Sequence, residues 1–210
     1  MQKIVIFDMD GTLIDSKKDI TISINYIREL HHNLPPLSEE FVVEAINMHE
    51  RNLPKLFYGT ELYQEKDRKV FEVYYATQCI ENPYLYDGMK ETLHSLVDAD
   101  VKLSVATNAP TAFATIMLNH LEVGGLFDVI IGADKVKVSK PDPQMLKIIL
   151  DYYKYDHRLD KAWMIGDNSK DMLSAENAGI DSMFATWGFT PKSKHNIVLT
   201  KPNEILDIVL

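Results

Sequence analysis

The chain has 210 residues, 46% of them apolar and 25% charged, which is ordinary for a globular protein of one domain with an insertion or of two small domains. Its net charge is -9 with no cluster of Lys and Arg to offset it, which argues against a nucleic-acid backbone or an anionic membrane as partner. Cys79 is the single cysteine, so an intrachain disulfide is excluded, and no apolar run approaches a membrane span.

In chain order, the first apolar run is IVIF (4–7), followed at once by Asp8, Met9, Asp10, Gly11 and Thr12. Helical periodicity then appears at 17–32, 38–49 and 61–80, punctuated by Pro35, Pro36 and Pro54 and closed by Pro83. A helical pattern at 88–100 leads into the run KLSVA (102–106). A second helix at 111–122 leads to DVII (128–131), a third at 143–154 to AWMIG (162–166), and a fourth at 169–179 to SMFA (182–185). Continuous apolar runs alternating with amphipathic helices predict an α/β fold with a doubly wound parallel sheet. The first crossover is far longer than such a unit needs. Residues 16–82 are therefore expected to form an all-helical insert over the end of the first strand, with 1–15 and 83–210 forming the core.

Ligands of an open parallel sheet bind beyond the carboxyl ends of its strands. The first run ends at Asp8 and Asp10, the second at Thr107 and Asn108, and the fourth at Asp167, with Asp171 four residues on. Lys140 lies beyond the third. Carboxylates gathered at one edge repel each other unless a cation joins them. Mg²⁺ suits this set because it prefers oxygen ligands and a substrate phosphate. Lysine, hydroxyl and amide donors suit phosphate oxygens, and a carboxylate held near a metal-bound phosphoryl group can act as nucleophile.

These residues resemble the haloacid dehalogenase superfamily of phosphotransferases. DxDGT stands as Asp8-Met9-Asp10-Gly11-Thr12, the Ser/Thr motif as Thr107 in ATNAP, the lysine as Lys140 in SKPDP, and GDxxxD as Gly166-Asp167 to Asp171. The helical insert and the segment PYLYDGMKETL (83–93) resemble the phosphoglycolate phosphatase and β-phosphoglucomutase branch. The resemblance implies Asp8 as nucleophile and Asp10 as general acid and then base, with its backbone carbonyl on the metal. It implies Asp167 as a metal ligand, and Lys140 as the cation between Asp8 and the phosphate. Thr107 and Asn108 would bind phosphate oxygens. Gly11 would let the backbone approach the phosphate, and Thr12 would orient Asp10 or cap a helix start. Asp171 would stand at the metal, pair with Lys140, or belong to a capping pattern begun by Asn168. True dehalogenases lack an acid at the Asp10 position, so the expected enzyme is a Mg²⁺-dependent phosphatase acting on a small phosphorylated metabolite. A β-phosphoglucomutase-like phosphomutase would use the same residues. A phosphoacceptor signalling domain is disfavoured by Asp10 and by the insert.

In the insert, NMHERNLPKL (47–56) occupies the place of the family's substrate-reading loop. Arg51 is the candidate there for a substrate carboxylate or distal phosphate, against a solvated helix face; Met48 and His49 are lesser candidates. His31 and His32 lack metal-site spacing and are expected at the surface. GxxxxGK[ST] is absent, and DMDGTL does not fit a calcium-binding helix-loop-helix. The opening residues lack the apolar stretch of a signal peptide, so a cytoplasmic location is expected, as a monomer or a dimer.

Overall fold

Strand β1 (Lys3–Phe7) is fully buried from Ile4 to Phe7, as a continuous apolar run in a parallel sheet requires. The computed structural model describes residues 1–48 and 51–210. They divide into two compact units, Met1–Asp15 with Tyr84–Leu210, and Ser16–Pro83. After β1 come the two-residue strand β2 (Ile14–Asp15) and the helices α1 (Lys17–His32), α2 (Glu39–Asn47), α3 (Leu53–Tyr58) and α4 (Glu65–Gln78). The chain returns through β3 (Tyr84–Leu85), α5 (Met89–Asp98), β4 (Lys102–Ala106), α6 (Thr111–His120), β5 (Val129–Ile131) and α7 (Gln144–Tyr153). It finishes with β6 (Lys161–Gly166), α8 (Ser169–Ala178), β7 (Asp181–Ala185), β8 (Val198–Leu199) and α9 (Glu204–Val209).

The main sheet runs β5-β4-β1-β6-β7-β8, and every pairing in it is parallel. The fold is thus the α/β class expected. Phe7 pairs with Val105 on one side and Ile165 on the other, so the ends of β4 and β6 flank the end of β1. Ile4, Ile6, Met164 and Ala106 pack against Met145, Leu146 and Ile149 of α7 and Ala175 of α8. Burying such side chains contributes about 1.5–3 kcal/mol each. Helix α7 starts one residue later than the sequence suggests: the Asp142 carboxylate accepts from the Gln144 amide at 2.9 Å, and Pro143 stands before the first turn.

The unit Ser16–Pro83 is helical, with no strand among its described residues. Ile24, Ile27, Val42, Ala45, Phe57 and Tyr58 form its core. Helix α3 was not anticipated; Pro54, read as punctuation, stands in its first turn, where a missing N–H costs nothing. Asp19 is buried in α1 and accepts from Gln78 Nε2 and from the backbone and side chain of Asn82. The surface expectation for His31 and His32 is corrected. Both rings donate to the buried Asp67 carboxylate, at 2.7 and 2.9 Å, because α4 brings that acid beside the end of α1. His49 lies outside the described residues. Among the described residues no helix is long and apolar enough to cross a membrane.

Candidate active site

The site grows from the end of β1. The Asp8 amide still pairs with the sheet, donating to the Ile165 carbonyl at 2.8 Å, which fixes the side chain at the sheet edge. The chain then turns tightly: the amides of Leu13 and Ile14 donate to the Met9 carbonyl, and Gly11 adopts φ +83°, where a side chain would be strained. Asp10 is half-buried in this turn, bridged to Ile14. The Thr12 hydroxyl is buried and has no hydrogen-bond partner among the described residues, so the expected bond orienting Asp10 is not formed.

Lys140 is the centre of the cluster. Its Nζ donates to Asp8 Oδ1 at 2.7 Å and to Asp171 Oδ1 at 2.6 Å, and all three residues are buried. Burial pulls the lysine down, but the Asp171 and Asp8 carboxylates outweigh it, and the net shift is upward. Asp171 also accepts from the Asn168 amide through Oδ2, completing the capping box at the start of α8. The capping and lysine-pairing alternatives for this residue therefore hold together, one oxygen each. Burial pushes the Asp171 carboxyl up to about 6, with Lys140 opposing and Asp8 adding to the push. The two upward shifts are compatible, because one ammonium is shared among several acids.

Asp167 follows β6 and is almost fully buried. Burial, then Asp8 and Asp171, hold its carboxyl well above the usual range, while a bond from the Phe189 amide at 2.9 Å opposes them. Carboxylate oxygens of Asp8, Asp167 and Asp171 all lie within 4.8 Å of one another. With Lys140 they sum to a formal charge of -2, which fits a divalent cation that takes oxygen ligands. The carboxylate of Asp10 is not part of this group, in keeping with the expectation that Asp10 meets a metal through its backbone carbonyl and leaves its side chain for proton transfer.

Thr107 and Asn108 follow β4. The Thr107 hydroxyl accepts from the Ala109 amide at 3.0 Å, a local turn rather than a cap on α6. The Asn108 side chain grips the backbone of Lys140, accepting from its N–H at 3.1 Å and donating to its carbonyl at 3.2 Å. The Asn108 side chain is therefore committed to the backbone of Lys140. Arg51 lies in the helical unit beside Tyr63; partial burial lowers its guanidinium, with the tyrosine opposing.

Residues 5–185 match the model of the haloacid dehalogenase-like hydrolases. The chain belongs to that family. A phosphoglycolate phosphatase of Pectobacterium atrosepticum is 33% identical over 96% of this chain and 86% of its own length. An N-acetylmuramic acid 6-phosphate phosphatase of Pseudomonas aeruginosa is 28% identical over 99% of this chain and 94% of its own. A solved haloacid dehalogenase-like hydrolase of Streptococcus pneumoniae, 23% identical, has the same fold, with a TM-score of 0.80 over 99% of this chain and 98% of its own. The protein is thus a phosphatase of the haloacid dehalogenase type.

Two features of this phosphatase escaped the sequence reading. Tyr86, just beyond β3, stands near several of the acids: burial, then Asp15 and Asp167, push its hydroxyl upward, so it stays protonated. The segment after β7 supplies the Phe189 amide. Its signal was present, since Trp187-Gly188-Phe189 follows the fifth apolar run, where strand-end reading would look next.

Proposed function

We propose that this phosphatase hydrolyses small phosphorylated metabolites, phosphoglycolate-like esters or sugar phosphates, through an aspartyl phosphate on Asp8 with Mg²⁺ as cofactor. The observation that carries the reading is the buried Lys140 ammonium between Asp8 and Asp171, with Asp167 in the same group of acids. The ion would be held by Asp8 and Asp167, with Asp171 beside them, and would supply positive charge to the phosphoryl oxygens and to the attacking carboxylate.

In this reading Asp8 attacks phosphorus and takes the phosphoryl group, and the bond to the ester oxygen breaks. Asp10 gives its proton to that leaving oxygen, then removes one from the water that opens the acyl phosphate. Lys140 donates to Asp8 Oδ1 and faces the phosphoryl charge. The Thr107 hydroxyl accepts a backbone bond and keeps its own proton for a phosphoryl oxygen. The backbone N–H of Asn108 and the turn at Gly11 and Thr12 complete the phosphate contacts. Discrimination among esters is assigned to the helical unit, with Arg51 as the candidate side chain.

The test is a panel of phosphate esters with and without Mg²⁺, run on the parent chain and on Asp8→Asn. Phosphate release that needs the metal and vanishes in a folded Asp8→Asn is expected. Undiminished turnover in that variant would move the nucleophile elsewhere or leave attack to water. Isomerisation of a sugar phosphate without phosphate release would identify a mutase instead.

A further inference from the structure

The segment after β7 begins where the family match ends, at Ala185. Three contacts join it to the site. The Trp187 indole Nε1 donates to the Thr12 carbonyl at 2.9 Å. The Phe189 amide donates to Asp167 Oδ2 at 2.9 Å. Between them, Gly188 lies so close to Gly11 that a Cβ would collide with the Gly11 carbonyl oxygen. The fit is reciprocal: a Cβ on Gly11 would come within 2.9 Å of the Phe189 ring. Backbone atoms provide much of this contact, and they cannot rotate away as a side chain can.

We propose that Trp187-Gly188-Phe189 is a positioning loop that fixes the Asp167 carboxylate and the Gly11–Thr12 turn in the arrangement Mg²⁺ requires. It rests on the metal reading above. A carboxylate on a strand end can rotate about its own axis. A backbone N–H on Oδ2 holds one rotation and leaves the second oxygen for a cation. The indole bond and the glycine contact hold the turn carrying Asp10 at the same distance from Asp167. Loss of a partner that orients a metal ligand typically weakens metal affinity by about 10–100-fold.

The experiment compares the parent with Gly188→Ala, Trp187→Phe and Asp167→Ala. Mg²⁺ binding is titrated calorimetrically without substrate. Exchange of the Phe189 amide is followed by NMR in EDTA, and melting is recorded in EDTA. Gly188→Ala is expected to weaken Mg²⁺ binding about tenfold or more while remaining folded. Trp187→Phe, which keeps the aromatic packing, should weaken it about fivefold. A merely structural role would lower the melting temperature in EDTA and leave the affinity of the folded protein unchanged. Parent-like Mg²⁺ affinity in Gly188→Ala, or in Trp187→Phe should the alanine variant not fold, overturns the proposal. A parent chain that binds no Mg²⁺ defeats the metal reading instead. The loop is then judged by exchange alone: faster exchange of the Phe189 amide in Asp167→Ala supports it, and equal exchange refutes it.

Discussion

Replacing Lys140 by methionine keeps most of the stem and removes the ammonium that joins Asp8 and Asp171. The three side chains are exposed by only 2%, 12% and 2%, so water cannot take over the charge. Deleting one member of a buried ion pair costs about 3–5 kcal/mol, because the partner charge is left unmatched. Here the acids can escape by taking up a proton. The Asp171 carboxyl already sits at about 6 with Lys140 opposing the rise, and losing the lysine moves it higher. A carboxyl raised in the folded state stabilises fully below its unfolded value, and that contribution is lost as pH rises through the folded value. The deficit of Lys140→Met is therefore small at pH 5. The variant retains a proton that the parent sheds above about pH 6, so the deficit grows by up to about 1.4 kcal/mol per pH unit, hence by about 2 kcal/mol between pH 6 and 8. Urea unfolding in EDTA at several pH values measures it. Trp163 and Trp187 both belong to the α/β unit, so tryptophan fluorescence reports that unit alone. A deficit of equal size at every pH would reduce Lys140 to a packing role, and no deficit at pH 8 would mean that the two ion pairs do not form.

Adding Mg²⁺ should raise the melting temperature more at pH 8 than at pH 5, because Asp167 and Asp171 are both shifted upward and must shed protons to bind a cation; equal gains in calorimetry would contradict the shifts. Asn108→Ala removes both side-chain bonds to the Lys140 backbone, at about 1 kcal/mol each, and should lower stability by about 2 kcal/mol in urea and kcat more than KM. Unchanged kcat would show that Lys140 is placed without this grip. Arg51→Ala should raise KM about tenfold for esters carrying a carboxylate and leave phenyl phosphate unaffected, in steady-state kinetics on both.

The strands β1, β4, β6 and β7 were legible because a strand buried on both faces is mostly apolar: Ile4–Phe7 is so without interruption, and Leu103–Ala106 is broken only by Ser104, whose buried hydroxyl bonds that of Tyr153. The pair β2 and β3 and the edge strand β8 are two residues each, too short to impose a pattern on their side chains. The acids were legible for the same reason as the strands: a carboxylate directly after a buried run has few other uses. What the residues did not disclose is how each polar atom is spent. Asn108 looks like a phosphate ligand, yet its amide is taken by the Lys140 backbone. Thr12 looks like a partner for Asp10, yet its hydroxyl is buried away from it. Phe189 contributes through its N–H, which carries no trace of residue type.

The convergence of residues 8, 140, 167 and 171 follows from topology more than from any local preference. With β1 between β4 and β6, whatever follows β1 has neighbours on both sides, and Asp8 can meet Asp167 across one strand spacing. The arrangement has an electrostatic consequence. One ammonium cannot balance three buried carboxylates, and burial, with the neighbouring acids adding to it, holds Asp167 and Asp171 above their ordinary range. The folded chain thus holds acids in a place they would leave if free to do so, at a cost offset by the buried sheet around them. On the metal reading proposed above, a divalent cation with a phosphoryl group would relieve that cost on binding. Part of the folding free energy would in this way be converted into affinity for the ion and its ligand, and a variant that relaxes the acid cluster should gain stability without metal while losing metal affinity.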